Sequence, residues 1–189
     1  RKMATVKYKQ PFVPYPLVDN AEVINLSTNV NDFVVALGGL VQEKATDKVY
    51  RLVTFMPDPS ADIDFAVKLL VHEVAGTFRY GTGTFQVAQD FSDTNGVVAG
   101  VNNTHVIDVS AVSDNQYGYV QVGGECEVTN HDGTCPLNMV LTSHGVDGGT
   151  TDEGVAGEPG IGIVIADAGS TTPIVRLTIP GIIPVEVNG

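Results

Sequence analysis

The chain is a succession of short apolar segments separated by turn-forming residues, and this pattern constrains the fold more than any other feature. VYRLVTF (49–55), YGYVQV (117–122) and IVRLTI (174–179) are typical segments, rich in β-branched and aromatic residues. Turn-rich pieces such as SDTNG (92–96) and NHDG (130–133) lie between such segments. Because β-branched residues favour strands and Gly, Asn and Asp favour turns, we expect an all-β, mainly antiparallel fold of small β-barrel or β-sandwich lobes.

The chain of 189 residues is long enough for one β domain or two small ones. We predict three parts. Residues 1–18 form an extended basic N-terminal arm, residues 19–95 an N-terminal β lobe, and residues 96–189 a C-terminal β-barrel or β-sandwich domain.

Charge is distributed unevenly between the arm and the rest of the chain. The arm contains four of the ten basic residues and precedes the first acidic residue, Asp19, so it carries +4. Since the net charge is −12, the remainder carries −16. Such an acidic body repels nucleic acid at long range. No apolar run approaches the roughly 20 residues of a membrane helix. We therefore expect neither nucleic acid nor membrane as a partner.

The composition of the arm predicts a partner-binding segment. Three prolines in QPFVPYPL (10–17) favour extended chain, because proline fixes φ and removes a backbone donor. A basic arm on an acidic body is suited to an acidic protein surface, possibly that of a neighbouring copy; the alternative is a disordered terminus. The candidate residues are Lys7 and Lys9 for charge complementarity, and Phe12, Val13, Tyr15 and Leu17 for apolar anchoring.

One stretch, ADIDFAVKLLVHEVAG (61–76), fits both a strand and a helix. Large apolar residues occupy the odd positions from 63 to 71, which is a strand period. Positions 63, 66, 67, 70 and 74 fit a helix almost as well, and Gly76 could end such a helix. We favour a strand because five consecutive odd positions are large and apolar.

The stretch NQYGYVQVGGECEV (115–128) predicts a strand that passes over the corner of a small barrel. Tyr117, Tyr119 and Gln121 would share one face and Val120 and Val122 the other. Two glycines at 123 and 124 would let the chain turn sharply or cross another backbone closely.

The two cysteines, Cys126 and Cys135, flank a segment that could form a hairpin. Asn130 to Gly133 has the residues of a type I turn closed by a glycine bulge. In that register the two side chains fall on different faces and are not directly opposite. The sequence therefore does not decide whether the two cysteines form a disulfide. Two cysteines make only half of a zinc site.

Residues that could support catalysis are present but scattered. HEVAG (72–76) holds only the first two letters of the metalloprotease motif HExxH. His144 follows Ser143, but members of a catalytic triad normally come from separate elements. Asp62 and Asp64 would share one strand face, which is typical of a solvated face. We therefore expect no catalytic residue and no enzymatic activity.

Ligand-binding motifs are incomplete. Acidic residues cluster in VDGGTTDEGVAGE (146–158), but their spacing matches no calcium-binding loop. Gly160 and Gly162 lack the third glycine of a dinucleotide-binding turn. We therefore expect no cofactor and no bound metal.

The second half of the chain, roughly residues 96–181, resembles the small β domains of tailed-bacteriophage virion proteins, especially capsid decoration (cement) proteins. The first 95 residues show no such resemblance. The segments that carry it are AGV (99–101), YGYVQVGG (117–124), PLNMVLTS (136–143), GIGIVIADAG (160–169) and VRLTI (175–179).

The resemblance implies a structural role on the virion. Decoration proteins bind the outer capsid surface across subunit boundaries, often at three-fold positions, and reinforce the shell. It implies the major capsid protein and further copies of this chain, in a homotrimer, as partners, with assembly in the host cytoplasm. An arm that reaches over adjacent capsid subunits is common in such proteins. The alternative is a virion surface β module, on a head fibre or tail, that binds host glycan or protein.

Overall fold

The structure is a computed structural model, described here for residues 15–18, 27, 29–55, 67–79, 82–88, 94–103, 116–131, 133, 135–143, 150–153 and 160–179. The strands are β1 (Leu17–Val18), β2 (Leu40–Glu43), β3 (Val49–Phe55), β4 (Leu69–Val74), β5 (Gln86–Ala88), β6 (Thr94–Asn102), β7 (Gln116–Glu127), β8 (Val140–Ser143), β9 (Thr151–Glu153), β10 (Gly162–Ala166) and β11 (Ile174–Thr178). Within these ranges the single helical segment is a 3₁₀ turn at Val30–Asp32. The predicted all-β class is confirmed.

Five strands close into a barrel. Around the ring the order is β3, β5, β4, β6 and β7, and β7 returns to pair with β3. The β3–β5 junction is parallel and the other four are antiparallel. The junction between β3 and β7 runs from Val49 opposite Gly123 to Phe55 opposite Gln116. A ring of this kind removes the open sheet edges that an unclosed set of strands would have.

The sheet continues from the barrel in two directions. The last residues of β7 pair with β11, and β10, β8 and β9 follow in that order. We call β11, β10, β8 and β9 the extension. On the other side, β2 pairs with β3, and β1 pairs with β2 in parallel. Most pairings are therefore antiparallel, as predicted.

Strand β3 is buried on both faces. Val53 and Phe55 lie in the main core, which fills the barrel and continues under the inner face of the extension. Tyr50 and Leu52, on the opposite parity, lie in a second core. This division agrees with the alternation in the sequence, where both parities of 49–55 carry large apolar residues.

Residues 29–37, which we call the strap, cover the second core. Val30, Phe33, Val35 and Leu37 of the strap pack against this core. The Phe33 ring meets the ring of Tyr119 edge-on, with centroids 5.4 Å apart. The strap begins where the Asn29 side chain accepts a hydrogen bond from the Asn31 N–H at 3.0 Å. The strap thus buries the outer face of β3 and β7.

The ambiguous stretch forms a strand where the structure describes it. Residues 69–74 are β4, so the strand interpretation is confirmed and the helix alternative is wrong there. Residues 67 and 68 form a turn, in which Lys68 has φ of 68°. The alternating strand pattern that the sequence shows from residue 63 is therefore interrupted at residues 67 and 68, and β4 begins after them. Residues 61–66 lie outside the described residues.

Strands from both sides of residue 95 belong to one sheet. β6 runs across residue 95, and β3 pairs with β7 over its whole length. One core contains Val53 and Val71 from the first part and Val164 and Val175 from the second. Whether 19–95 and 96–189 fold as separate lobes stays a prediction.

The predicted hairpin across the cysteines is wrong. After β7 the chain does not return along it, because β7 pairs with β11 while β8 pairs with β10 and β9. Gly133 does have the positive φ, 70°, expected of a turn glycine. Cys126 and Cys135 are both buried thiols of the main core, which answers the question that the sequence left open.

Candidate functional site

The corner in β7 is the place where barrel and extension meet. β7 passes through it without interruption, and Gly124 adopts φ of 81°. A Cβ at this glycine would lie 2.8 Å from both the Asp47 carbonyl oxygen and the Lys48 Cα. The predicted close crossing of two backbones is therefore confirmed, and its partner is the turn between β2 and β3.

The Gln121 side chain holds the inner side of this corner. Its Nε2 donates to the Gly123 carbonyl at 3.0 Å and to the Glu125 carbonyl at 2.9 Å. Its Oε1 accepts from Asn103 Nδ2 at 2.9 Å. Because Gln121 is fully buried, these bonds satisfy both ends of an amide that burial would otherwise penalise. The bend is thus fixed by a side chain as well as by glycine.

A cleft of about 420 Å³ opens beside the corner. Five segments build it: the turn between β2 and β3, the turn before β4, the residue after β6, the end of β7 and the start of β11. Its lining combines amines, carboxylates, an amide, a thiol and aliphatic carbon, from Lys48, Val67, Lys68, Asn103, Glu125, Cys126, Glu127 and Ile174.

The charges at the cleft are balanced and exposed. Lys68 Nζ pairs with Glu127 Oε2, and Arg176 pairs with Glu125 at 3.3 Å. Ion pairs on an exposed surface contribute little, about 0–1 kcal/mol each. These side chains therefore remain able to exchange their partners for those of a ligand.

The thiol of Cys126 lies at the cleft and is hydrogen-bonded there. Asn103 Nδ2 donates to its Sγ at 2.7 Å, and the thiol donates to the Glu127 carbonyl at 3.3 Å. These two hydrogen bonds hold the thiol in the wall of the cleft, beside the carboxylates and amines of its lining.

Two described groups outside the cleft have shifted pKa values. Burial lowers the pKa of His72, on β4, to about 4, and burial raises the pKa of Tyr119, on β7, to about 12. Perturbed values can mark functional sites when desolvation acts together with a charge partner. Here desolvation is the cause in both cases, so the shifts reflect a close-packed interior.

The predicted arm residues fall partly within the described structure. Tyr15 is half-buried and Leu17 is 47% exposed, on β1. The Pro16 carbonyl accepts from the Gln42 N–H at 2.9 Å, which ties the end of the arm to β2. Lys7, Lys9, Phe12 and Val13 lie outside the described residues, so their role stays a prediction.

The other sequence candidates are not brought together. Asp62, Asp64 and His144 lie outside the described residues, and so does most of the acidic 146–158 segment. Within the described ranges, no group of three or more His, Cys, Asp or Glu side chains could hold a metal ion. No helix in those ranges has the length and apolar character of a membrane span.

Comparisons with protein-family models, with curated proteins and with solved structures find no match to this chain. The resemblance to decoration proteins therefore remains an expectation from the sequence.

Sequence reasoning missed the cleft. Lys68, Asn103 and Glu127 are far apart along the chain and meet only because β4, β6 and β7 are neighbours around the barrel. No local motif marks such a set.

Proposed function

We propose that this protein is a structural component of a bacteriophage particle that binds the outer capsid surface across subunit boundaries and stabilises the shell. The observation that carries the proposal is the position of the arm's last residues. β1 is at one end of the strand order, and its Leu17 side chain is half exposed. The arm thus joins the body at the rim of the sheet.

From this rim the arm can reach a neighbouring subunit. An extended chain covers at most about 3.5 Å per residue, so Lys7 can contact a neighbour up to about 35 Å from Leu17. Lys7 and Lys9 would complement an acidic neighbour, while Phe12 and Val13 would bury apolar surface there.

The body offers rigidity to such a contact. Its ring of strands is closed, the outer face of β3 and β7 is covered by the strap, and the corner is braced by Gln121. Area buried between the protein and two capsid subunits is lost if the shell opens, so binding stabilises the closed shell by linkage. A joint of about 1,600 Å² is a usual size for specific association.

In this proposal the partners are the major capsid protein and further copies of the chain, arranged as a homotrimer. Nucleic acid and membrane are not partners, and the protein acts on the outside of the capsid after assembly in the host cytoplasm. Its contribution is mechanical, and it catalyses no reaction.

The test is occupancy on particles of a variant lacking residues 1–14, which keeps β1 in place, and of a Lys7→Glu/Lys9→Glu variant. We expect both to lose most of their occupancy while retaining the β-rich circular dichroism of the wild type. Lys44→Glu/Arg79→Glu, at exposed positions of the body, makes the same change in net charge and should bind normally. Full occupancy of the two arm variants would refute the proposal.

The cleft favours a second candidate function, a virion surface module that binds host glycan or protein. Its lysine, carboxylate and amide groups can donate to and accept from sugar hydroxyls, and Ile174 offers an apolar contact. Glycan-array binding that is abolished by Lys48→Ala would support this candidate. Normal capsid occupancy of Lys48→Ala, without any glycan binding by the wild type, would leave the first proposal in place.

A further inference from the structure

The described hydrogen bonds tie the strap, residues 29–37, to the sheet at its two ends. Before the strap, Ser27 forms a β-bridge with Tyr117 of β7, and the Tyr117 N–H donates to the Ser27 carbonyl at 2.8 Å. After the strap, the Gly38 N–H donates to the carbonyl of Leu52 in β3 at 2.8 Å. Because β3 and β7 are paired, both attachments belong to the same part of the barrel.

Between these ends the strap makes no main-chain hydrogen bond to the sheet within the described residues. Its own backbone bonds are local. The Asp32 N–H donates to the Asn29 carbonyl at 3.1 Å, and the Phe33 N–H donates to the Val30 carbonyl at 3.5 Å. Each barrel strand, by contrast, pairs with a strand on either side. Lifting the middle of the strap therefore breaks no strand pairing of the barrel.

Side-chain packing is what holds the middle of the strap against the sheet. Phe33, Val35 and Leu37 pack against the second core. Val34, between them, is 68% exposed, and every strap residue keeps part of its surface in water. A groove of about 530 Å³ is lined by strap residues, so these side chains lack packing partners on one side.

We propose that the strap opens and closes as a unit while the barrel stays folded. Local opening takes less free energy than global unfolding where a segment has few buried contacts and an exposed backbone. The strap has both properties, and its two attachments act as hinges. Its opening uncovers the second core, which consists of Val41, Tyr50, Leu52 and Tyr119. This inference goes beyond the proposed function, because it describes the isolated chain whether or not that chain binds a capsid.

Thiol labelling under native conditions measures the opening of the two cores separately. Val41 of the second core and Val53 of the main core are both fully buried, so Val41→Cys and Val53→Cys are a matched pair. We expect a maleimide to label Val41→Cys faster than Val53→Cys by about tenfold or more. The rate for Val41→Cys should respond weakly to dilute urea, because local opening exposes little surface. Peptide mapping separates these labels from any on the native Cys126 and Cys135.

Phe33→Ala tests whether packing keeps the strap closed. It removes the edge-on contact with Tyr119 and should raise the labelling rate of Val41→Cys by about tenfold, without changing that of Val53→Cys. Val34→Ala, at the exposed position of the strap, should leave both rates unchanged. Equal rates with equal urea dependence for the two cysteine variants would overturn the proposal, and so would a Phe33→Ala effect that is the same on both.

Chymotrypsin treatment of the wild type gives a second readout that does not depend on the folding of any variant. This protease cleaves after large aromatic residues and needs a segment of open chain. We expect cleavage after Phe33 in the strap while Phe55 in β3 is still intact. A strap that is cut only when Phe55 is also cut opens together with the barrel, and the proposal would then be wrong.

Discussion

The barrel and the extension bury their strands differently. In the barrel, both faces of β3 are buried, one by the main core and the other by the strap. In the extension, β11 alternates, with Val175 and Leu177 buried and Arg176 and Thr178 exposed. Strand β3 of the barrel is thus buried on both faces, whereas strand β11 of the extension is buried on one face and exposed on the other.

The difference shows where a binding surface can be placed on a small β protein. A closed and covered barrel leaves few side chains of β3 free to change, because almost every position is packed. The extension has one solvated face, which can carry apolar residues at a modest cost to the fold. We therefore expect stability to reside in the barrel and the corner, and recognition in the extension and the arm.

The largest expected effect is at the joint between the two regions. Gly124→Ala should lower the free energy of unfolding by about 3 kcal/mol or more, because it combines a strained φ with a clash against backbone. Gly76→Ala separates the two causes, since Gly76 has φ of 78° but an added Cβ there would have nothing within 4 Å. It should cost only about 1–2 kcal/mol, the conformational part.

Urea unfolding of both variants measures this difference. Equal losses for Gly124→Ala and Gly76→Ala would show that the crossing with Asp47 and Lys48 is not tight, and that barrel and extension are not rigidly joined at the corner. If Gly124→Ala does not fold, Gly123→Ala is the substitute. Its added carbon would meet Val49 at an ordinary 3.4 Å, so a small effect is expected.

The fold class, the two faces of β3 and the close crossing at the corner could be predicted from the sequence because each has a local signal. The alternation of 49–55 marks both faces, and the paired glycines mark the crossing. Closure of the barrel has no such signal, because it depends on the pairing of Val49–Phe55 with strand positions more than sixty residues away. Only tertiary packing selects that register.

The hairpin at the cysteines failed for the same reason. Asn130 to Gly133 has genuine turn chemistry, and Gly133 adopts a turn conformation. Turn chemistry specifies a change of direction, however, and not the strand that the chain meets afterwards. The cleft likewise arises from strand order, so it could not be found before β4, β6 and β7 were known to be neighbours.

The next prediction compares the second face of β3 with the outer face of β10. Leu52→Ala should destabilise the protein by about 3 kcal/mol, since Leu52 is fully buried under the strap and its removal leaves a cavity. Ile163→Ala should cost about 0.5 kcal/mol, because this side chain is already partly in water. If urea unfolding shows that Leu52→Ala and Ile163→Ala lower the free energy of unfolding by similar amounts, the difference between the covered face of β3 and the open face of β10 is contradicted.

The last comparison between the two regions concerns acid. His72 lies fully buried in β4 of the barrel, whereas the described histidine near the extension, His131, is exposed. Burial lowers the pKa of His72 to about 4, from an ordinary 6.5 that the unfolded chain retains. Between these values the unfolded chain binds a proton that the native barrel does not bind.

The stability due to neutral His72 is therefore complete above pH 6.5 and is lost as the pH falls towards 4. At pH 5 the loss should be about 2 kcal/mol relative to pH 8. Carboxylates titrate in the same range, so the quantity to measure is the difference in unfolding free energy between wild type and His72→Gln at each pH. That difference should shift in favour of His72→Gln by about 2 kcal/mol on acidification. If wild type and His72→Gln lose the same stability between pH 8 and pH 5, the imidazole in the barrel is not the group that acid acts on, and the contrast between a sealed barrel and an open extension loses its electrostatic support.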